Sequence, residues 1–264
     1  MIARLTDPAT ASSLFDGWNE TVIWSCLQGI MGCVLADDPT RPQSAAAVLG
    51  DFAFLAGAAN PELIRTVRSH GEPRPLILVP RDAAWSACIE AELNGDATRI
   101  TRFATRKDPS DLDRTRLLDL ARDVPHGIEL SPIDARLHRA CAGADWSCDL
   151  VSQFPKYEDF QRLALGIVAV EGGVPVAGAS TYARYRDGIE IEVDTRPDRR
   201  RRGLARACAA ALIVAALDQG LYPSWDAHTR ASLALAEQLG YRFDYAYDAY
   251  VVGSSRSSYT IHEH

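Results

Sequence analysis

Four consecutive arginines, Arg199 to Arg202, precede two small residues, Gly203 and Ala205, at the predicted start of a helix. The backbone N–H groups in the first turn of a helix lack intrahelical partners and carry a partial positive charge, so they attract anions. Glycine and alanine leave room for a bulky anion at these groups, and arginines add charge-assisted contacts. This order of residues predicts a site for a phosphate-bearing ligand.

An arginine run also has two other interpretations. Taken alone, it is typical of a solvated charged surface, and arginines also bind nucleic acid. The chain has a net charge of −7, with 28 basic and 35 acidic residues, and aromatic residues do not alternate with the arginines. We therefore predict no nucleic-acid partner. The position of the run between a strand and a helix favours the phosphate site.

The elements around these arginines follow from hydrophobic periodicity and turn residues. An alternating strand over 189–195 precedes them, a long helix over 202–219 follows, and Gly172-Gly173 predicts a hairpin upstream. The hairpin strands are 167–170 and 174–185, and further strands are predicted at 45–55, 76–79, 97–105, 222–227 and 241–252. Helices are predicted at 15–31, 61–69, 83–93, 132–142, 157–165 and 231–239. No internal repeat is visible in the sequence.

Residues 200–205 match the Gln/Arg-x-x-Gly-x-Gly/Ala signature of the GNAT acetyltransferase superfamily, which binds the pyrophosphate of acetyl-CoA. The segments IEIEVDT, LYPSWDAH and SLALAEQLGYRFDYAY are similar to acetyltransferases that confer resistance to zwittermicin A. WSCLQGIMG and GDFAFLAG near the amino terminus resemble the same enzymes, so the resemblance covers nearly the whole chain. It implies an α/β fold with a mixed, splayed central sheet and an additional amino-terminal α/β domain.

The resemblance also implies acetyl-CoA as co-substrate and no metal. The sheet would separate between the strands at 189–195 and 222–227, with the pantetheine arm in the gap and the pyrophosphate on the helix start. The residues that the resemblance assigns to the cofactor are Val193, Asp194, Thr195, Arg200, Arg201, Arg202, Gly203, Leu204, Ala205, Thr229 and Ser232.

Acetyl transfer to an amine requires a base, because an alkylammonium has a pKa of about 10.4 and only the neutral amine attacks. Glu190, Glu192 and Asp194 share one face of the strand at 189–195, beside the expected thioester. Enzymes that resemble this chain often use a carboxylate on this strand, and we favour Glu192, with Glu190 as a second candidate. The alternative is an ordinary polar face of an amphipathic strand.

Two further catalytic candidates, Asp226 and His228, end the other separating strand. His228 is a candidate acid or base, although a single histidine is more often structural. Asp226 is a candidate for binding a cationic substrate or for capping the next helix, a role for which Thr229 competes.

Two positions depart from the superfamily pattern. Thr229 stands where many members have asparagine, and Ala236 stands where many have a tyrosine that protonates the leaving thiolate. The proton donor is therefore unassigned, and the substitutes are water or one of four tyrosines that also suit packing in a strand. These are Tyr241, Tyr245, Tyr247 and Tyr250.

Composition sets the broad class. The 264 residues are 47% hydrophobic and 24% charged, which excludes a disordered or fibrous chain. The longest apolar run has 11 residues (207–217), whereas a membrane span needs about 20, and no secretory signal is visible. Six scattered cysteines are predicted to be reduced thiols. We predict a cytoplasmic protein without a membrane partner.

Turn-forming residues at 124–127 predict an N-terminal α/β domain at 1–125 and a GNAT acetyltransferase domain at 126–264. The predicted function is acetyl-CoA-dependent N-acetylation of a primary amine on a small, cationic metabolite or antibiotic. The open alternatives are a protein amino terminus or lysine as acceptor, a longer acyl donor, and a non-catalytic acyl-CoA-binding regulator. A homodimer is left open, and a role in antibiotic resistance follows from the resemblance alone.

Overall fold

The computed structural model describes residues 1–70 and 75–253, which form two compact units. The first contains Met1–Arg102 and the chain from Tyr247, and the second contains Phe103–Ala246. The predicted domain boundary after residue 125 falls inside the second unit, because Leu117 packs in that unit's core. The domain assignment itself stays a prediction. The predicted polar tail at 253–264 lies outside the described residues from 254 onward.

The first unit is a mixed sheet with helices packed on it. Its strands are β1 (Ala3–Arg4), β2 (Cys33–Ala36), β3 (Ser44–Leu49), β4 (Phe52–Gly57) and β5 (Leu76–Pro80), in that order. Its helices are α1 (Thr21–Leu27), α2 (Pro61–Ser69) and α3 (Ala83–Leu93). The strands pair antiparallel except β4 and β5, which are parallel. Its core includes the fully buried Trp85, Leu63 and Ile89.

Two strands extend from one unit into the other along the chain: β6 (Ala97–Thr105) and β13 (Phe243–Val252). Within the first unit, residues 250–252 of β13 pair antiparallel with β5.

The second unit holds the predicted phosphate site. Its helices are α4 (Arg114–Arg122), α5 (Ala135–Ala142), α6 (Tyr157–Leu163), α7 (Leu204–Asp218) and α8 (Arg230–Leu239). Its strands are β7 (Ile128–Pro132), β8 (Gly166–Glu171), β9 (Val174–Tyr185), β10 (Gly188–Thr195), β11 (Tyr222–Ser224) and β12 (Asp226–Ala227). Five of them form a sheet of order β11-β10-β9-β8-β7, and β12 pairs with Phe103 and Ala104 of β6. The buried face of α7 packs on Ile189 and Ile191 of β10 in one core.

Both units have the same strand connectivity. In each, a first strand leads through helical segments to three strands that pair antiparallel in succession, and a helix then connects to a parallel strand. The equivalent pairs in the second unit are β7·β8, β8·β9, β9·β10 and the parallel β10·β11. The chain therefore contains a repeat of topology that its sequence does not reveal.

Most predicted elements are confirmed, and α2, α3 and β6 match to the residue. Two predicted strands are each divided: 45–55 is the hairpin of β3 and β4, which turns at Gly50, and 222–227 is interrupted at Trp225. The helix predicted at 15–31 is shorter and preceded by a 3-10 helix, Pro8–Phe15. The helix predicted from 132 begins at Ala135, since the side chain of Asp134 caps it. No helix in the described part of the chain is long and apolar enough to cross a bilayer.

Candidate functional site

The strands β10 and β11 pair briefly and then separate, as predicted. Their parallel ladder joins Gly188 to Tyr222, and it ends among the described residues at Glu190 and Ser224. A register shift, or β-bulge, follows between Glu190 and Ile191. Beyond it β10 continues along β9, whereas β12 pairs with β6. This separation confirms the splayed sheet.

The main chain of β10 presents polar groups at the edge where the strands have separated. Arg196 N donates to Val176 O of β9 at 3.0 Å. Alternate residues of an antiparallel strand direct their N–H and C=O groups to the same side. The register therefore directs the backbone of Glu192 toward β9, and the backbone of Val193 and Thr195 toward the open edge. The resemblance assigned the main chain of Val193, Asp194 and Thr195 to the cofactor, and the backbone of Asp194 instead faces β9.

The arginine loop, residues 199–203, divides its four arginines into two groups. Arg199 Nε donates to Glu171 Oε2 at 2.7 Å, and Arg202 Nη1 lies 3.6 Å from Glu171 Oε1. Arg199 also pairs with Asp198. Arg200 and Arg201 are exposed and form no salt bridge or side-chain hydrogen bond within residues 1–70 and 75–253. The loop is thus anchored through one pair of arginines and presents the other pair to solvent.

The start of α7 has the backbone that an anion site requires. Gly203 is the N-cap, with φ +78°, and Arg201 has φ +61°, so both lie in the left-handed region. Gly203 has no side chain, and in the described chain no other side chain caps this helix. A Cβ at Gly203 would meet only Arg206 Nη2, at 3.6 Å. The first-turn N–H groups are therefore available to a ligand. Leu204 is buried, so its predicted contact with the cofactor would be through its backbone.

The first unit supplies an internal comparison, because α2 occupies the topological place of α7. The side chain of Asn60 accepts hydrogen bonds from Glu62 N and Leu63 N, and Glu62 adds a negative charge to the first turn. The parallel ladder of β4 and β5 continues to Leu55 and Pro80. The equivalent helix start is thus closed by its own side chain and the equivalent strands stay paired. The open arrangement is specific to the second unit.

The comparison with protein families decides the identity of this fold. A sequence model of the GNAT acetyltransferase family matches residues 12–250. The chain belongs to the GNAT acetyltransferase family. It is therefore an acetyltransferase, and members of this family use acetyl-CoA as co-substrate.

Individual relatives agree with this assignment. A GCN5-related N-acetyltransferase-like protein from Streptococcus suis 89/1591 is 46% identical, with a TM-score of 0.88 over 93% of this chain and 98% of its own. The uncharacterized N-acetyltransferase YdfB of Bacillus subtilis (strain 168) is 24% identical over 90% of this chain and 92% of its own. A tandem GNAT protein from the clavulanic acid biosynthesis pathway shares the fold, with 13% identity and a TM-score of 0.59 over 95% of this chain and 96% of its own. The finer resemblance to zwittermicin A resistance enzymes stays a prediction.

The acidic face of β10 lies beside the open edge of this acetyltransferase. Glu192 is half-buried, and its Oε1 accepts a hydrogen bond from Val193 N at 3.1 Å. Asp194 is also half-buried, near the exposed Asp149 of a 3-10 helix, Cys148–Leu150. Burial and the charge of Asp149 raise the pKa of Asp194 to about 6, against an opposing effect of Arg200. The face therefore concentrates negative charge beside the gap.

The remaining predicted residues surround the other separating strand. Asp226 and His228 are half-buried, and Asp226 N donates to Glu190 Oε1 at 2.8 Å. The side chain of Thr229 accepts from Ser232 N at 3.1 Å, so Thr229, and not Asp226, caps α8. Ser232 Oγ accepts from Trp225 Nε1 at 3.2 Å. The structure therefore gives Thr229 and Ser232 roles within the fold, and their contact with the cofactor stays a prediction.

Two of the four candidate tyrosines are buried. Tyr241 is buried and its hydroxyl donates to Pro223 O, and the buried Tyr250 donates to Glu90 Oε1 at 2.6 Å. Tyr245 is 39% exposed, and Tyr247 is half-buried. Tyr245 is thus the most exposed of the four candidate tyrosines.

Three residues of the site were not predicted from the sequence: Glu171, Asp149 and Thr105. Glu171 anchors Arg199 from 28 positions away, and Thr105 binds the backbone of Trp225 from 120 positions away. No local motif marks any of them. The nearest local signal is the position of Glu171 between the predicted strand at 167–170 and the Gly172-Gly173 turn.

Proposed function

We propose that this acetyltransferase transfers the acetyl group of acetyl-CoA to a primary amine of a small, cationic molecule by direct attack on the thioester. The observation that carries the proposal is one strand, β10, which offers two kinds of group at the same open edge. Val193 and Thr195 direct main-chain groups to the gap, and Glu192 and Asp194 line the adjoining face. The main-chain groups would supply a donor that polarises the thioester carbonyl. The two carboxylates would supply a base and a negative charge that attracts a cation.

The cofactor would be held by the arginine loop and the start of α7. The first-turn N–H groups after Gly203 suit a pyrophosphate, and Arg200 and Arg201 add positive charge from solvent-exposed positions. Arg199 and Arg202 act indirectly, because their contacts with Glu171 fix the loop. The pantetheine arm would follow the main chain from Thr195 to Val193.

Glu192 is the proposed base. Its carboxylate lies on Val193 N–H, the donor that faces the gap. A thioester carbonyl that accepted this N–H would gain the stabilisation that an oxyanion receives from preorganised backbone donors. The same step would release the Glu192 carboxylate to accept a proton from the substrate ammonium, directly or through water. The neutral amine would then attack the thioester carbonyl, and CoA would leave as its thiolate.

A cationic acceptor suits the charge of this face. Asp194 is held in a place that disfavours its ionised form, through burial and the nearby Asp149. A bound cation would lower the pKa of Asp194 again, because a nearby opposite charge favours the ionised carboxylate. The proposal of a small cationic amine rests on this pair together with Glu192. The cytoplasmic location, homodimer and resistance role stay predictions.

Thermal unfolding with and without acetyl-CoA tests the cofactor site. A ligand at one hundred times its dissociation constant stabilises the folded state by about 2.7 kcal/mol. We expect this shift in the parent, a reduced shift in Arg200→Ala and Arg201→Ala, and none in Gly203→Glu. Arg41→Ala removes an exposed arginine from the first unit and serves as the matched control.

Turnover is then measured as thiol release in an amine library. Diamines and other polycations should be better substrates than neutral amines or peptide amino termini. A preference for peptides would show that the acceptor is a protein amine and would overturn the small-molecule part of the proposal. An unshifted parent with acetyl-CoA, CoA and longer acyl-CoAs would overturn the cofactor site itself.

A further inference from the structure

The separating strand is supported by side chains at the point where its ladder is lost. Tyr241 donates its hydroxyl proton to Pro223 O. Thr105 Oγ1 donates to Trp225 O at 2.7 Å, and Glu190 Oε1 accepts from Asp226 N at 2.8 Å. Tyr222 N donates to Asp187 O, so by alternation Asp226 N also faces β10, whereas Pro223 O and Trp225 O face away from it. A continued parallel ladder would ordinarily satisfy the Asp226 N–H. Side chains from three separate segments of the chain therefore bind the backbone of residues 223–226, in addition to the short ladders of β11 and β12.

Glu190 has a special position among these supports. It is the last residue of β10 that pairs with β11, opposite Ser224, and the β-bulge follows it directly. Its side chain therefore spans from the last rung of the ladder to the backbone of β12. With 9% exposure, Glu190 is more enclosed than the half-buried Glu192.

The surroundings of Glu190 keep the neighbouring hydroxyl groups protonated. Burial and, after it, the charge of Glu190 raise the pKa of Tyr185 to about 12. Burial, Tyr222 and Glu190 together raise the pKa of Tyr241 well above its ordinary value. Tyr241 thus keeps its proton, and with it the hydrogen bond to Pro223 O, at neutral pH.

We infer that Glu190 is a positioning residue that fixes the separation of β10 from β12, and that it is not the base. Its carboxylate replaces a ladder hydrogen bond, so it sets the width of the gap and the placement of Asp226 and His228 on the opposite side. Thr105 contributes to the same support from β6. This inference rests on the proposed function, since the gap matters only where acetyl-CoA occupies it.

The test compares Glu190→Gln, Glu190→Ala and Thr105→Val with the parent. The amide oxygen of glutamine accepts the Asp226 N–H but takes up no proton, so Gln should keep kcat/KM for acetyl-CoA within about threefold. Alanine should lower it by about tenfold or more, mainly through KM. Thr105→Val should shift KM in the same direction. The pH dependence of kcat should be unchanged in Glu190→Gln.

Loss of activity in Glu190→Gln equal to that in Glu190→Ala, with loss of the acidic limb of the pH profile, would overturn the inference and make Glu190 the base. Parent-like kinetics in Glu190→Ala would overturn it as well. Amide hydrogen exchange at Asp226, measured without acetyl-CoA, should accelerate in Ala and stay slow in Gln. That measurement tests the hydrogen bond even if the parent binds no acetyl-CoA, an outcome that would refute the proposed function.

Discussion

At the scale of single residues, Asp194 is the clearest case of a charge kept in an unfavourable place. Burial is the main cause of its raised pKa of about 6, the charge of Asp149 adds to it, and Arg200 opposes both. The ordinary value is 3.8, so the folded state binds this proton more tightly than the unfolded chain does. Stability from this group is present below about pH 4 and is lost as the pH rises to about 6.

Asp194→Asn should therefore raise the melting temperature at pH 7.5 by a few degrees and change it little at pH 4, because asparagine carries no charge to desolvate. The measurement is thermal unfolding across this range. Asp119→Asn, at an exposed position on α4, is the control and should show no such trend. An equal effect at both pH values would mean that packing, and not ionisation, distinguishes the two side chains.

Glu192 and Glu190 lie two residues apart on one strand, yet the structure predicts different consequences for their substitution. Glu192→Gln should lower kcat by about 100-fold or more, because it removes a general base, and should abolish the acidic limb of the pH–rate profile. The acetyl-CoA-induced thermal shift should persist. Glu129→Gln, an exposed carboxylate on β7 at the opposite edge of the sheet, is the matched control. Full activity in Glu192→Gln would assign the base elsewhere.

At the scale of elements, the start of α7 needs a left-handed backbone at position 203 and open access to its N–H groups, and glycine satisfies both without strain. Its φ of +78° is strained for any other residue, but the space around it would admit a methyl group. Gly203→Ala should therefore lower the free energy of unfolding by about 1 kcal/mol and keep most of the acetyl-CoA shift. Gly220→Ala, at φ +72° beyond the other end of α7, should destabilise similarly without affecting acetyl-CoA. Comparing the two in denaturant and in ligand titration separates strain from binding.

The elements near the arginines were predictable because their signals are local. The alternation of β10, the Gly172-Gly173 turn and the small residues opening α7 all lie within a few residues of what they determine. The strand predicted at 222–227 was wrong at Trp225, because its division depends on partners far away in sequence. Glu171 and Thr105 were missed for the same reason. A contact between distant residues leaves no periodicity in either segment.

At the scale of the whole molecule, the chain repeats one topology with two different outcomes. The strand β4 reads FAFLAG and β10 reads GIEIEVDT, so the repeat is absent from the sequence although the order and direction of pairing are preserved. Pairing depends on backbone geometry, which many sequences satisfy. The first unit keeps the sheet and helices but has neither acidic residues on β4 nor arginines before α2.

This asymmetry predicts one acetyl-CoA site per chain. The start of α2 is occupied by Asn60 and made less attractive to phosphate by Glu62, and the ladder of β4 and β5 extends to Arg81 N, which donates to Leu55 O at 3.0 Å. Isothermal titration calorimetry should give a stoichiometry of one, and Gly203→Glu should reduce it to zero. Asn60→Ala removes a cap, so it should cost about 1 kcal/mol of stability and leave the stoichiometry at one. Two sites in the parent would show that the first unit binds the cofactor by a surface other than its helix start.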